Sequence, residues 1–250
     1  MADDDNNNPS SNPSTPSFSS SSPPQANVDA RIRKEDGLKY WQGIDASVNG
    51  MLGGLPHVTR VDLRGSRNFL AKLGVGSKEG QRVAASALEG GAGIGRVTEG
   101  LLLDGIAREV DVIEPIAKFT AALQGKSGVR SIFNMGLQDW NPAEGMQYDL
   151  IWIQWCVGHL TDEQLVAFLR RCQAALNPDG GLIVVKENNS TTGEDNFDDV
   201  DSSVTREDGS FRRIFEEAGL RLVQSERQKG FQTAKLQLLP VRMYALKPAQ

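Results

Sequence analysis

A glycine-rich turn between an apolar segment and a helix-like pattern limits the folds open to this chain more than any other feature. Residues 83–88 are almost all apolar, residues 90–95 include four glycines, and apolar residues then recur at Val97, Leu101 and Leu102. A strand, a glycine turn and a helix bring backbone N–H groups against a nucleotide-like ligand, and glycine allows both close approach and positive φ. The stretch predicts such a ligand site; the alternative is an ordinary turn that needs glycine only for its backbone.

The spacing of the glycines differs from that of a dinucleotide-binding fingerprint, Gly-x-Gly-x-x-Gly. Counted from Gly91 and Gly93, the third glycine would stand where the chain has Arg96. The observed pattern is an acid, Glu89, followed by glycines at every second position, and it resembles the first motif of the S-adenosylmethionine (SAM) methyltransferases. A second acid, Glu114, follows the next apolar segment, where a carboxylate can accept both ribose hydroxyls of an adenosine. The two acids and the glycines together predict SAM as the ligand.

Length and composition indicate one globular domain preceded by a tail. The chain has 250 residues, 39% of them hydrophobic and 24% charged, which suits a single domain with a sizeable core. Residues 1–30 are rich in Ser, Pro, Asn and Asp and carry almost no large apolar side chain. Such a segment buries too little surface to offset its ordering entropy. We therefore predict a disordered tail over residues 1–30 and a single domain over residues 31–250.

The charge, cysteine and histidine content argues against several functional classes. The net charge is −5, so a basic nucleic-acid-binding surface is not expected. Two cysteines and two histidines indicate neither a disulfide framework nor a zinc site. No apolar run is long enough to span a bilayer, and the N-terminus lacks the pattern of a signal peptide. We expect a protein of the reducing cytoplasm, and also of the nucleus, with no metal and no direct nucleic-acid or membrane partner.

Strand-like and helix-like segments alternate along the rest of the chain. This alternation predicts a parallel sheet with helices on both faces, an α/β doubly wound fold. No clear helix separates the last two strands, so the last strand is expected to run antiparallel. Two further helices, at 30–41 and 62–73, would cap the strand ends, with a glycine-flanked loop at 48–54 between them. The predicted strands are 83–88, 110–114, 129–135, 148–154, 181–186, 220–226 and 236–246, and the predicted helices of the core are 95–106, 116–123, 161–175 and 210–218.

Polar residues that follow predicted strands are the candidates for chemistry, because ligands bind at the carboxyl ends of parallel strands. His159 follows the fourth strand; a lone histidine is more often structural, but here several polar groups converge. Trp155 would either stack on a flat apolar ligand or pack in the core. The acidic run 198–201 is either a solvated segment or a packed acidic wall that selects a cationic substrate. No Gly-x-Ser-x-Gly elbow occurs, which argues against a serine hydrolase.

The motifs around these residues resemble those of the protein α-N-terminal methyltransferases. These SAM-dependent enzymes methylate the α-amine of proteins that begin Xaa-Pro-Lys or Xaa-Pro-Arg after removal of the initiator methionine. The resemblance covers residues 37–246 and implies a seven-stranded class I SAM methyltransferase fold, which is Rossmann-like, with an N-terminal helical cap. The segments that carry it are Tyr40-Trp41, 49–54, 91–96, Gly136-Leu137-Gln138-Asp139, Trp152-Ile153-Gln154-Trp155, 158–162, 168–172 and 198–203.

The resemblance implies a site for SAM, which becomes S-adenosylhomocysteine (SAH) after methyl transfer. Gly91 and Arg96 would hold the methionine carboxylate of SAM. Glu114, where the family usually has Asp, would accept the ribose hydroxyls, and Leu137 and Gln138 would contact the adenine. The full implied cofactor-binding set is Gly91, Gly93, Arg96, Glu114, Leu137, Gln138 and Gln154, and no metal is implied.

The resemblance also implies a site for the substrate peptide. Trp155 would stack on the substrate proline, Asn188 would hold the peptide backbone, and Asp198 and Asp201 would bind the Lys or Arg at the third position. Because the acceptor must be a neutral amine, we hypothesise that His159 and Asp201 accept its proton and orient its nitrogen. The other implied substrate-binding residues, at the lid and the entrance, are Trp41 and Leu52.

Two alternatives to this function stay open. The chain could be a SAM methyltransferase that acts on a small molecule or a side chain, or a non-catalytic module of the same fold that binds proteins. The presence of Gly91, Arg96 and His159 argues against the module, which has no need of them. The family's tyrosine on the last hairpin has no counterpart here, and residues 229–239 depart from the family. The resemblance further implies protein substrates of ribosomal or chromatin type, and a monomer.

Overall fold

The computed structural model describes residues 28–231 and 238–249. In these residues the strands are β1 (Ala84–Gly90), β2 (Ala107–Ile113), β3 (Val129–Phe133), β4 (Leu150–Gln154), β5 (Leu182–Asn188), β6 (Asn196–Asp198), β7 (Ser203–Thr205), β8 (Leu220–Arg227) and β9 (Val241–Pro248). Seven of them form one sheet in the order β3-β2-β1-β4-β5-β9-β8, and β6 and β7 form a separate hairpin. Strands β1 to β5 are parallel, and β9 is antiparallel to both β5 and β8. The predicted α/β fold and its antiparallel last strand are confirmed.

Two apolar cores lie on the two faces of this sheet, because side chains along each buried strand point alternately to opposite faces. On β4, Ile151 and Ile153 pack on one face, while Leu150 and Trp152 pack on the other. The first face is covered by apolar residues of the helices at 162–174 and 208–217, and the second by those of the helix at 59–72. The central strands are therefore buried on both faces, and their carboxyl ends form one edge that remains available for ligands.

The helices differ from the prediction mainly near the glycine turn. The predicted helix 95–106 contains a π-helical turn, Thr98–Leu102, in which the Leu103 N–H bonds to the Thr98 carbonyl at 2.8 Å, and Gly105 with φ of 85° follows it. The predicted helix 116–123 divides into a short α-helix and a 3-10 turn, Ala121–Leu123. The α-helices are α1 (Lys34–Gly43), α2 (Val48–Met51), α3 (Thr59–Lys72), α4 (Ala117–Thr120), α5 (Asp162–Ala174) and α6 (Asp208–Glu217).

Helices α1 to α3 are here called the cap. Residues of α1 and α2 line the cavity at the carboxyl ends of the strands, and α3 packs on one face of the sheet. The loop predicted at 48–54 contains helix α2, whose first turn is capped by the Ser47 hydroxyl, which accepts the Gly50 N–H. The Lys118 ammonium fastens the end of α1 by donating to the carbonyls of Gln42 and Ile44 at 2.5 and 2.7 Å. The predicted helical cap is therefore present, and it closes one side of the ligand edge.

The folded part of the chain includes the last residues of the predicted tail. A 3-10 turn, Val28–Arg31, precedes α1, and the buried Asp29 carboxylate accepts the N–H of Asp162 at the start of α5. Thr161 and Gln164 form a capping box at the same helix end. The predicted boundary at residue 30 thus falls inside a packed turn, and the tail prediction for residues 1–27 lies outside the described residues.

The acidic run 198–201 lies on the β6–β7 hairpin, which the sequence did not predict. Val200 is 73% exposed, so the middle of the run is solvated rather than packed. Phe197 is partly buried, and the guanidinium of Arg31 lies 4.2 Å from its ring centre. Within the part of the chain that the structure describes, no helix is long and apolar enough to cross a membrane, and no cluster of side chains fits a metal ion.

Candidate functional site

Two cavities that share part of their lining occupy the edge formed by the carboxyl ends of the strands. The glycine-loop cavity is lined by the loop after β1 and by the ends of β2, β3 and β4. The adjoining cavity lies next to it, between the cap, the end of β5, the β6–β7 hairpin and the residues before β9. Both are lined by Trp41, Met51, Leu52, Trp155, Cys156 and His159. A group bound in one cavity can therefore meet a group bound in the other across this shared wall.

The glycines of the loop are required by space as well as by backbone conformation. Gly91, Gly93 and Gly95 have φ values of 71°, 54° and 82°, a region that side chains disfavour. A Cβ at Gly91 would lie 2.5 Å from the Cβ of Cys156, and one at Gly93 would lie 2.8 Å from the sulfur of Met51. The loop N–H groups of Gly91 and Gly93 are already bonded, to the Ile113 carbonyl and to Glu114. These glycines therefore contribute room and backbone shape rather than free donors.

Glu114 stands at the end of β2, as the sequence predicted, and its carboxylate lines the glycine-loop cavity. One oxygen accepts the N–H of Gly93 and the other accepts the N–H of Ile116, both at 2.9 Å. Burial raises the pKa of Glu114, and the two backbone N–H groups oppose that rise. Each carboxylate oxygen has further lone pairs. The loop can therefore fix the side chain while it still accepts hydrogen bonds from the hydroxyl groups of a ligand.

Arg96 and Gln154 line the same cavity, and both are held by Asp62 of the cap. The Arg96 guanidinium donates to the Asp62 carboxylate at 2.7 Å, and the Gln154 amide donates to it at 3.0 and 3.1 Å. Asp62, which is fully buried, was not predicted as a site residue from the sequence. A signal was present, because Asp62 shares the buried face of α3 with Ser66, Phe69 and Leu70 at helical spacing.

Leu137 and Gln138 follow β3 and line the glycine-loop cavity, as predicted. Leu137 is buried, and the Gln138 amide donates to the Asp139 carboxylate at 3.2 Å. Asp139 also accepts from the Lys34 ammonium of α1 at 2.7 Å. Asp139 thus links the cap to the loop after β3 through its hydrogen bonds. The apolar Leu137 side chain lines the cavity.

Trp41 and His159 are joined by a hydrogen bond that fixes the state of the histidine. The indole N–H of Trp41 donates to the Nε2 atom of His159 at 2.9 Å, so Nε2 carries no proton and the neutral imidazole holds its proton on Nδ1. His159 Nδ1 is buried, with no hydrogen-bond partner among the described residues. Burial lowers the pKa of His159, although the nearby Asp201 carboxylate opposes that effect. His159 is therefore held neutral, with its acceptor nitrogen already occupied by the cap.

Two residues that line the adjoining cavity each have a buried polar atom without a partner among the described residues. The Oδ1 atom of Asp201 and the indole nitrogen of Trp155 are buried, and neither has a hydrogen-bond partner among the described residues. Trp155 has φ of 53° and lies directly after β4, and Ser202, beside Asp201, has φ of 55°. Trp155 lines both cavities and Ser202 lines the glycine-loop cavity, and strained backbone at wall residues is typical of a functional site. Asn188, at the end of β5, is partly buried in the same wall.

Asp198 lies outside both cavities, unlike the other predicted site residues. Its carboxylate is exposed and accepts the N–H of Val200 at 2.8 Å, which closes the turn of the hairpin. It does pair in register with Ser203, which lines the adjoining cavity. The structure thus brings together Asp201, His159, Trp155, Asn188, Trp41 and Leu52, and leaves Asp198 at the outer side of the hairpin.

Two buried acids in the cavity walls were not singled out by the sequence as titrating groups. Burial raises the pKa of Glu187 to about 7, although its carboxylate accepts the N–H groups of Asn188 and Cys156. Burial likewise raises the pKa of Glu89 to about 8, against a hydrogen bond from the Thr98 hydroxyl. Glu89 lies at the end of β1 and Glu187 at the end of β5, so both lie at the carboxyl ends of parallel strands, as the predicted site residues do.

Comparison with known proteins decides the family. The model of the AdoMet-dependent proline di-methyltransferases matches residues 29–247. The chain belongs to this family. The alpha N-terminal protein methyltransferase 1 of Schizosaccharomyces pombe is 46% identical over 217 residues, which cover 85% of this chain and 95% of that protein. The N-terminal Xaa-Pro-Lys N-methyltransferase 1 of Homo sapiens is 45% identical over 197 residues, which cover 76% and 85%. Both relatives span nearly the whole domain described above.

A solved structure supports the same family. A SAM-dependent methyltransferase from Leishmania major superposes with a TM-score of 0.75 at 38% identity, covering 86% of this chain and 82% of that one. The predicted class I SAM methyltransferase fold and its cofactor class are confirmed. The cavity fits SAM, because its wall presents the Arg96 cation for a carboxylate and the Glu114 carboxylate for ribose hydroxyls. The residues that would hold SAM are those of the predicted set, Gly91, Gly93, Arg96, Glu114, Leu137, Gln138 and Gln154.

The Trp41–His159 hydrogen bond leads to a prediction about the histidine's pKa. The bond exists only while Nε2 is unprotonated, so it favours the neutral form. We expect Trp41→Phe to raise the pKa of His159. The chain has only two histidines, so a proton NMR titration follows His159 directly, with the exposed His57 as the second signal.

Tyr40→Phe is the control for this titration. Tyr40 packs edge-on against Trp41, and its substitution leaves the indole N–H of Trp41 in place. An unchanged or lowered pKa of His159 in Trp41→Phe would contradict the assignment of the hydrogen bond.

Proposed function

We propose that this chain methylates the α-amine of proteins whose N-terminus reads Xaa-Pro-Lys or Xaa-Pro-Arg after removal of the initiator methionine. The observation that carries the proposal is the buried Oδ1 of Asp201, which has no partner among the described residues. Asp201 lines the adjoining cavity, which shares Trp155 and His159 with the glycine-loop cavity. An unpaired buried carboxylate oxygen favours a cationic or N–H-bearing ligand at that point. The relatives are named as methyltransferases of protein N-termini, which supports the same substrate class.

In the proposed reaction, residues of this chain remove a proton from the amine and orient it toward the methyl group. SAM, when bound, supplies an electrophilic methyl group on a positively charged sulfur. The α-amine has a pKa of about 8, so it must lose a proton before its lone pair can attack. Asp201 offers a free carboxylate oxygen that can take this proton, whereas the Nε2 of His159 is occupied by Trp41. His159 can accept a hydrogen bond or a proton from the amine only at Nε2, and only when Trp41 releases that atom.

The walls of the adjoining cavity fit a proline-containing peptide. The Trp155 ring lies between both cavities and presents an aromatic surface for the proline ring. Asn188 offers an amide to the peptide backbone at the end of β5. Leu52 and Trp41 of the cap close the cavity on the other side. In this proposal the N-terminal residue of the peptide lies near Asp201, with its amine at the wall shared by the two cavities.

Asp198 is proposed to bind the third-residue cation from outside the cavity. Its carboxylate is exposed opposite Ser203, so the interaction would be solvent-screened. We expect Asp198→Ala to weaken an Xaa-Pro-Lys peptide no more than about fivefold, the scale of an exposed ion pair. The measurement is KM for that peptide and for its Xaa-Pro-Gln counterpart, for which the variant should match the wild type. Equal KM values for the Lys peptide in both proteins would remove Asp198 from recognition.

A peptide panel tests the proposed function. Methyl transfer is measured on an Xaa-Pro-Lys peptide with a free N-terminus and on the same peptide with an acetylated N-terminus. We expect transfer to the first only, because acetylation removes the nucleophilic amine. Equal transfer to both would indicate side-chain methylation, and binding of SAM without transfer to either peptide would support a different acceptor or a non-catalytic module.

The cellular setting is part of the same proposal. We place the enzyme in the cytoplasm and also in the nucleus, as a monomer that acts on ribosomal or chromatin-type proteins with such N-termini. Fractionation of cells together with size-exclusion chromatography of the full chain tests both statements.

A further inference from the structure

A buried polar cluster lies behind the glycine-loop cavity and is not explained by the chemistry of the reaction. Gln154 and Lys186 are paired in register on β4 and β5, so both point to the face of the sheet that α3 covers. Asp62 and Ser66 of α3 meet them there, and Gln228 approaches from the end of β8. The members of this Asp62 cluster are Asp62, Ser66, Arg96, Gln154, Lys186 and Gln228.

Lys186 lies at the centre of the cluster and lines neither cavity. Its ammonium donates to the Asp62 carboxylate, to the Asp62 carbonyl at 3.1 Å, and to Ser66 and Gln228 at 2.9 Å each. The side chains of Lys186 and Asp62 are both 0% exposed. Burial lowers the pKa of Lys186 to about 8, and the charges of Lys186 and Arg96 outweigh burial to lower the pKa of Asp62. Both groups are therefore charged near neutral pH.

Fold stability alone is a poor explanation for such a cluster. Taking two charges out of water costs several kcal/mol per ion, on the order of what their attraction returns, and apolar replacements are often neutral or stabilising. The cluster does, however, use Asp62 to fix two side chains that line the cavity. Arg96 is 9% exposed and Gln154 is 6% exposed, and the Asp62 carboxylate accepts hydrogen bonds from both.

The charges of the cluster do not cancel. Arg96 and Lys186 contribute two positive charges and Asp62 one negative charge, which leaves an excess positive charge on the Arg96 side, next to the cavity. The neighbouring Glu89 does not balance it at neutral pH, because burial raises its pKa to about 8. A ligand with an anionic group at this wall would complete the charge balance.

We propose that Asp62 and Lys186 are positioning residues for the cofactor. Asp62 holds Arg96 and Gln154 in the orientation that binds the cofactor, and Lys186 keeps the Asp62 carboxylate charged and in place. Because Asp62 belongs to α3, the same contacts fasten the cap to the cofactor site. Neither residue lines a cavity, so each acts through Arg96 and Gln154 rather than by touching the cofactor.

Calorimetric titration with SAH tests this proposal independently of activity. We expect Asp62→Asn to weaken SAH binding about 10- to 100-fold, the scale of one lost hydrogen bond to a charged group. Asp62→Asn also leaves Lys186 buried without a carboxylate, so a second variant combines Asp62→Asn with Lys186→Met. The double variant should regain thermal stability relative to Asp62→Asn, because it removes both buried charges, but it should not regain SAH affinity, because Arg96 still lacks its carboxylate.

Asp111→Asn is the matched control. Asp111 is a fully buried carboxylate bonded to Arg130 at 2.6 Å and to Tyr148, and it lies outside both cavities. It should lower the melting temperature while SAH affinity stays within about twofold of the wild type. SAH affinity within about twofold of the wild type in Asp62→Asn or in the double variant would overturn the proposal. A change in SAH affinity that only follows the melting temperature across the variants would also overturn it. Failure of both cluster variants to fold would overturn it too, because each result would indicate a purely structural role.

Discussion

Asp201→Asn is expected to lower turnover of an Xaa-Pro-Lys peptide about 100- to 10,000-fold, the scale of a lost general base. The asparagine amide keeps the size of the side chain but cannot accept the amine proton. SAH affinity should stay within about twofold of the wild type, because Asp201 lines the adjoining cavity and not the glycine-loop cavity. Steady-state kinetics with the peptide, together with calorimetry with SAH, measures both quantities on the same preparation.

Asp199→Asn provides a neighbouring control for this result. Asp199 carries the same charge two residues away, but it is exposed and pairs with Arg31. It should keep nearly full turnover. His159→Ala should also reduce turnover, by less than Asp201→Asn, because the Nε2 atom of His159 is already bonded to Trp41. Full activity of both Asp201→Asn and His159→Ala at neutral pH would contradict their assignment to the amine.

Gly91→Ala should abolish measurable cofactor binding, with SAH affinity reduced at least about 100-fold. Two independent effects act at this residue. Its φ of 71° is one that alanine adopts only at a cost of about 1–2 kcal/mol, and its Cβ would lie 2.5 Å from the Cβ of Cys156. The loop must shift to relieve this contact, and the shift also disturbs the Gly93 N–H bond that fixes Glu114. SAH calorimetry and thermal unfolding measure the two consequences.

Gly145→Ala separates the two effects. Gly145 has a similar φ of 77°, but nothing lies within 4 Å of the position its Cβ would take. It should therefore lose only the conformational contribution to stability and bind SAH as the wild type does. Identical SAH affinity of Gly91→Ala and Gly145→Ala would show that the loop does not need its close approach to Cys156.

The parts of this molecule that local pattern determines were predictable from the sequence. Apolar runs and the helical segments between them gave the parallel sheet, and the lack of a helix before β9 gave its antiparallel direction. Glu114 was found because it directly follows a buried strand, whereas Gln154 and Asn188, which each end a strand, were assigned through the resemblance. Sheet topology then brings such residues to one edge without further information.

The parts that depend on distant contacts were not predictable in the same way. Trp41 and His159 are bonded across 118 positions, and Lys186 and Asp62 across 124, so no local pattern indicates either pair. Within the acidic run, composition does not tell Asp201 from Asp198. The hairpin turn makes that choice, because the positive φ of Ser202 accompanies an inward Asp201 while the exposed Asp198 closes the turn.

The most direct test of this account is the position of the methyl group on a product peptide. An Xaa-Pro-Lys peptide is incubated with the full chain and SAM, and fragment-ion mass spectrometry assigns the added methyl groups to individual residues. We predict that they lie on the nitrogen of the first residue, with the third-residue lysine unmodified. Methyl groups on the lysine side chain, or an unmodified peptide in the presence of bound SAM, would contradict the proposed function.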